Sequence, residues 1–301
     1  MKTTTIKQLI MTAAVVSLCA CKHDVHDFEM HNDSQGYLAA HIIWELPDEQ
    51  GTQLNNIHVD IDGDGGQVTA DFPTKEEAAA WLKRLQPGEY DVLVTADMTA
   101  ADGYRLAGGV SSLVDPASSP DQSWFALDRV TIRPDEITTA ELTLQRLLAS
   151  LSVTVRNVPE DVSLAISVDH VAESVALKER DATGRLGLPG TVAVSVPVPC
   201  RADLSATRAD AGIVTLTTDW RRLMPTTRSQ ERSLVEVLGI GIDVEGRQLY
   251  CQCDIPRMES GHSYVLDLDY RSLRPYMRFE WYRINDWIEG AVITEEIPWP
   301  E

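Results

Sequence analysis

From Tyr37 onward, apolar and polar positions alternate: Leu38, Ala40, Ile42, Trp44 and Leu46 fall on one face, His41 and Glu45 on the other. Successive side chains of a strand point to opposite faces, so this pattern predicts a strand with one side buried. The same period of two returns at Ile57, Val59 and Ile61, at Tyr90, Val92 and Val94, at Ala140, Leu142 and Leu144, and at Ala149, Leu151, Val153 and Val155. It continues at Leu164, Ile166 and Val168, at Val192, Val194 and Val196, and at Tyr264, Leu266, Leu268 and Tyr270. Short strands of this kind, separated by Pro, Gly and Asp clusters, predict an all-β fold built of sandwiches.

One segment has helical spacing instead. Thr74, Lys75, Glu76 and Glu77 form a capping box after Pro73, and Ala78, Ala79, Trp81, Leu82 and Leu85 follow on one helical face. The spacing predicts a short helix that ends at Gln86, with Pro87-Gly88 as a type II turn into the strand at Glu89-Tyr90.

The chain has 301 residues, too many for one sandwich of about 100. A division into residues 36–147 and 148–301 gives two comparable sandwiches, the short helix lying in the first. Thr143 to Val155 is almost continuously strand-like, which predicts two domains in tight contact with limited hinge motion.

The start of the chain changes this picture. Lys2 and Lys7 precede an apolar stretch from Leu9 to Leu18, the layout of an export leader, and the stretch falls short of the roughly 20 residues a spanning helix needs. Leu18-Cys19-Ala20-Cys21 fits a bacterial lipobox, with the small Ala20 next to the cut. Residues 1–20 therefore read as the leader, Cys21 as the lipidated cysteine, and 21–35 as a polar tether. His23, His26 and His31 lie in that tether, where no fixed geometry would hold a metal.

Asp and Glu number 46 against 26 Lys and Arg, a net charge of -20, which makes nucleic acid and anionic headgroups poor partners, and no nucleic acid is expected to bind. Of five cysteines, Cys200, Cys251 and Cys253 remain in the body. Three cannot all pair; one of Cys251 and Cys253 could join Cys200, and Cys-x-Cys lacks zinc-knuckle spacing.

No HExxH, GxSxG, GxxxxGK[ST] or GxGxxG pattern occurs, and no catalytic residue is singled out. The expectation is a protein that is not an enzyme and has no cofactor, with one candidate exception. Asp60, Asp62 and Asp64 followed by Gly65, with Asp71 at the twelfth place, match the ligand order of a calcium loop. An acidic hairpin turn explains the same residues, since Ile57 to Ile61 reads as strand and the twelfth residue is not Glu.

In this order, several segments carry a family likeness: the lipobox, Leu85-Gln86-Pro87-Gly88-Glu89-Tyr90-Asp91-Val92, and Leu142-Thr143-Leu144-Gln145-Arg146-Leu147-Leu148-Ala149. Ile242-Asp243-Val244-Glu245-Gly246, Tyr264-Val265-Leu266-Asp267-Leu268 and Asp286-Trp287-Ile288-Glu289-Gly290 complete it. The chain resembles the fimbrillin-associated anchor and accessory lipoproteins of the Bacteroidales, which consist of two tandem transthyretin-like, Greek-key β-sandwiches. The resemblance implies an outer-membrane, lipid-anchored protein at the cell surface that acts as an anchor or accessory subunit of a fimbria, or as an adhesin. Its partners would be fimbrial subunits or surface ligands.

In such fimbriae a protease cuts after a basic residue, removes the first strand and opens a groove for a neighbour's strand. Between His23 and Thr74 this chain has no Lys or Arg, so its first strand is expected to stay in place. The aromatic-rich tail offers another contact surface: residues 291–301 form a candidate interaction strand, with Trp287, Ile293 and Trp299 as candidate contacts. The same residues could instead complete the second core. The alternative function is a glycan-binding surface lipoprotein, for which Trp124 and Phe125, after the loop from Pro116 to Gln122, are the candidate site.

Overall fold

The computed structural model describes residues 35–44, 54–202, 212–228, 235–244, 247–272, 279–286 and 292–295. In the first half these form β1 (Gly36–Ile43), β2 (Asn55–Gly63), β3 (Gly66–Thr74), α1 (Lys75–Ala79), β4 (Leu82–Leu85), β5 (Gly88–Ala96), β6 (Tyr104–Ala107), β7 (Val110–Leu113), β8 (Trp124–Ile132) and β9 (Ile137–Thr143). The chain continues through β10 (Gln145–Arg146), β11 (Ala149–Pro159), β12 (Ser163–Ala172), β13 (Ser174–Arg180), β14 (Leu186–Pro189), β15 (Ala193–Val198), β16 (Cys200–Ala202) and β17 (Ile213–Thr218). β18 (Arg221–Leu223), β19 (Val235–Val244), β20 (Arg247–Pro256), β21 (His262–Asp269), β22 (Phe279–Asp286) and β23 (Val292–Glu295) complete the described elements. The all-β, sandwich-like fold follows from the alternation.

Two sheets enclose the first core: β4-β1-β9 faces β10-β8-β5-β2-β3. Ile57, Val59, Ile61, Val92, Val94, Ala140 and Leu142 are all fully buried there. A second pair of sheets, β16-β17-β11-β21-β22-β23 with β18 alongside β11, and β15-β12-β19-β20, encloses Leu151, Val153, Val155, Val168, Leu266 and Leu268. The cores change over between Leu144 and Leu147.

A fifth sheet, β14-β13-β7-β6, draws strands from both halves, with Val110 opposite Ala176 and Ser112 opposite Ser174. It covers the outer face of β5 and β8. Val92 to Ala96 is consequently buried without interruption, as expected for a strand covered on both faces. Leu93 and Phe125 join Leu113, Val175, Leu177 and Leu186 in the second core. Gly187, at φ +91°, lies so close to the Phe125 ring that a Cβ there would stand 2.8 Å from it, and the left-handed backbone favours glycine independently. The Gln122 side chain bridges the halves further, donating to the Leu148 carbonyl at 3.3 Å and accepting from its N–H at 3.0 Å.

The helix is shorter than its spacing predicts. The capping box forms, with the Glu77 N–H donating to the Thr74 hydroxyl at 3.3 Å, but α1 stops at Ala79 and Leu82–Leu85 is strand β4. β4 pairs with the open edge of β1, Leu82 against Ala39 and Leu85 against Gly36. Continuing the helix would gain only tenths of a kcal/mol per residue, whereas unpaired buried backbone groups on β1 would cost about 1–3 kcal/mol each.

Candidate functional site

The first strand is set between two neighbours. β1 runs parallel to β9 from Tyr37–Ile137 to Ile43–Thr143 and antiparallel to β4 on its other edge. The Tyr37 N–H donates to the Glu136 carbonyl at 2.8 Å, and the Leu144 N–H to the Ile43 carbonyl at 2.9 Å, closing both ends of the β9 side. Leu38, Ala40 and Ile42 point into the first core, while His41 faces outward beside Glu141 at 2.9 Å. Gly36 admits no side chain, because a Cβ there would meet the Arg133 carbonyl oxygen at 2.1 Å. The strand predicted from Tyr37 thus forms, with its apolar parity as read through Ile42; Glu45 and Leu46 lie outside the described residues.

The last strand differs. β23 pairs only with β22, Ile293 opposite Ile284, and stands at the end of its sheet among the described residues. Trp287 and Trp299 lie outside the described residues, and Ile293 is placed by its backbone register alone.

The four acids of the candidate calcium loop do not converge. Gly63 pairs with Gly66, leaving Asp64-Gly65 as a two-residue hairpin turn, while Asp60 and Asp62 sit on β2 and Asp71 on β3. Among the described residues no group of three or more His, Cys, Asp or Glu side chains could hold a metal ion. The strand period separates them: Ile61 must point to the core, so its neighbours are spread along an extended ladder instead of wrapping a loop.

Each acid has another partner. Asp60, buried although it lies on the outer face, takes Lys178 Nζ from β13 at 2.9 Å and Gln67 Nε2 at 2.9 Å. Lys178 also reaches Asp62 at 3.4 Å. Burial alone would lower the Lys178 pKa; the hydrogen bond and charge of Asp60, with Asp62 behind it, more than offset this, and the net shift is upward. Asp71 lies 2.7 Å from His58 Nδ1, and Asp64 accepts from the Glu89 N–H at the start of β5 at 3.0 Å. No sequence signal pointed to Lys178, which is distant in the chain.

These outer-face residues form one side of a cleft of about 890 Å³. Its walls are the β2–β3 hairpin, with His58, Asp60, Gln67, Thr69 and Asp71, and the β6 hairpin, with Arg105, Gly108 and Gly109. Gly108 and Gly109, at φ +56° and +75°, make the tight turn between β6 and β7. Asp97, at the end of β5 close by, has its pKa raised to about 6, chiefly by burial, with Asp102 and Asp121 adding to the shift against the lowering hydrogen bond from the Asn55 N–H.

The aromatic pair offered as a glycan site is buried on both sides. Trp124 is 4 % exposed and meets Trp44 edge-on at 5.9 Å in the first core, while Phe125 is 0 % exposed in the second. Consecutive residues of a strand point to opposite faces, and both faces of β8 are covered here, so neither ring can stack on a sugar. Cys200 and Cys251 are both free thiols, the former pushed up to about 11 by burial; the Cys253 side chain lies outside the described residues.

By sequence, no family model and no curated protein matches the chain. By structure, it is similar to a candidate adhesin from Bacteroides thetaiotaomicron, with TM-score 0.55, 10% identity, and coverage of 89% of this chain and 100% of that one. It is also similar to the fimbrial anchor protein Mfa2 from Porphyromonas gingivalis, with TM-score 0.52, 13% identity, and coverage of 86% and 99%. A candidate polysaccharide-binding protein from B. thetaiotaomicron aligns at TM-score 0.50 and 10% identity, covering 87% of this chain and 98% of that one. The chain therefore has, along most of its length, the fold of these Bacteroidales adhesin-like and fimbrial-anchor proteins.

Proposed function

We propose that the chain is a cell-surface lipoprotein, held in the outer membrane through Cys21, that acts as an anchor or accessory subunit of a fimbria or as a surface adhesin. Its fold likeness to a fimbrial anchor and to adhesin-like proteins supports this reading. The body works by binding rather than by catalysis, in keeping with the kinds of protein that share its fold.

The observation that carries the anchor reading is the state of β1. It is paired with β9 from Tyr37 to Ile43 and with β4 from Gly36 to Ala39, and no Lys or Arg lies between His23 and Thr74 to serve as a cut site. A subunit that kept its first strand would leave no groove there for a neighbour's strand, as suits a molecule at the end of a polymer and tied to the membrane. The outer side of β23, which ends its sheet among the described residues, is then the contact surface, because an edge strand offers open backbone groups for strand addition.

The test is capture from native envelope extracts with the full chain and with a version ending at Gly290. Fimbrial subunits retained by the first and lost by the second are the expected result; failure of both to retain any would overturn the fimbrial reading. Palmitate labelling that disappears in Cys21→Ser is expected for the anchor, and labelling that persists would contradict it.

A further inference from the structure

The cleft between the β2–β3 hairpin and β6 carries an inference independent of fimbrial assembly. Its volume, about 890 Å³, lies in the range of ligand sites and exceeds what isolated waters require. We propose that it binds a neutral oligosaccharide.

Three features of the cleft carry this assignment. First, the wall is held in place. Lys178 and Gln67 fix the buried Asp60 carboxylate, so the polar face of β2 is set before any ligand arrives. Second, the groups presented to the cleft are mixed in sign and in hydrogen-bonding sense. The His58–Asp71 pair places a carboxylate that is 83% exposed on one wall, Thr69 adds a hydroxyl, and Arg105 on the opposite wall brings guanidinium donors. A ligand whose own groups both donate and accept satisfies such a mixture, and sugar hydroxyls do so. An anionic chain would meet Asp71 and a net charge of -20, while a cationic one would meet the Arg105 guanidinium, Lys178 being already neutralised by Asp60 and Asp62. Third, the lining adds apolar surface at the half-buried Leu106 and Phe72, and the Gly108-Gly109 turn adds a rim without side chains. The C–H face of a pyranose can lie against these side chains while its hydroxyls reach the walls.

The assignment also relocates the glycan chemistry. Trp124 and Phe125 are core residues, and the polar outer face of the acidic hairpin takes their place. The acids that resemble a calcium loop in sequence then have two tasks: Asp60 fixes the wall and Asp71 meets the ligand.

The test uses the full chain, purified in detergent and titrated calorimetrically with hexasaccharides of α-glucan, β-glucan and mannan. Hexagalacturonate and the chitosan hexamer serve as anionic and cationic probes. A neutral hexasaccharide is expected to bind, and Asp71→Ala and Arg105→Ala are each expected to weaken it about tenfold, the effect of losing one charge-assisted hydrogen bond. Both side chains stand at the cleft surface, so melting temperatures should stay unchanged and separate lost contacts from misfolding. Trp220→Ala, at a 54% exposed tryptophan outside the cleft, should leave binding intact. The proposal is overturned if no neutral hexasaccharide binds, if only a charged probe binds, or if neither cleft substitution weakens binding. Capture of fimbrial subunits by the same variants is read separately, so either reading can fail alone.

Discussion

The first and last described strands of this chain belong to the same kind of structure but differ in how they are held. β1 has eight residues and a partner on each edge, and it places Leu38, Ala40 and Ile42 in the core. β23 has four residues and, among the described residues, one partner. Hydrogen bonds on one side of a short strand open at little expense, whereas freeing β1 would break two ladders and strip three apolar side chains from the core at once. The difference separates a strand locked into its own fold from one whose outer edge has no partner among the described residues.

The comparison can be broken most severely at Ile42. Ile42→Asp would put an unpaired charge into the first core, and the expected result is no cooperative melting transition. Ile42→Ala is milder, removing apolar contacts at a cost of about 2–5 kcal/mol, read from the shift in denaturant midpoint. At the other end, truncation after Gly290 removes β23 and is expected to lower Tm by less than about 5 °C while abolishing capture of fimbrial subunits. A collapse of Tm on truncation would show that β23 is held as firmly as β1.

The smallest expected effect is electrostatic and lies at neither end. Burial raises the Asp97 pKa in the folded protein to about 6, above its ordinary value of 3.8. The folded state therefore binds this proton more tightly than the unfolded chain, and this group's contribution to stability falls as pH rises from about 4 through 6. Asp97→Asn, which keeps an acceptor for the Asn55 N–H, should raise Tm at pH 7 and leave it unchanged below pH 4. Melting curves across that range check the sign.

Much of this architecture was legible in the sequence because one periodicity fixes it. The alternation at Ile57–Ile61, Tyr90–Val94 and Ala149–Val155 assigned core faces that the structure keeps. The same periodicity misleads where a strand is covered twice. Leu93 and Phe125 lie on the face that alternation leaves polar, and they are buried because the fifth sheet, drawn from distant segments, covers that face. The helix was readable at its cap and unreadable at its end, since the backbone needs of β1, far earlier in the chain at Gly36 to Ala39, decide where α1 stops. The cleft was the least legible feature. Its wall depends on Lys178, placed by pairing of β13 with β7, and nothing local to Asp60 or Asp62 announces that partner.

Hydrogen exchange on the full chain tests the contrast between first and last strand most directly. Amides of the doubly paired stretch Tyr37–Ala39 are expected to exchange only through global unfolding, at least about a hundredfold more slowly than those of Val292–Glu295, which open locally. Equal exchange at the two strands, or faster exchange at Tyr37–Ala39, would contradict the account of a retained first strand and an available last one.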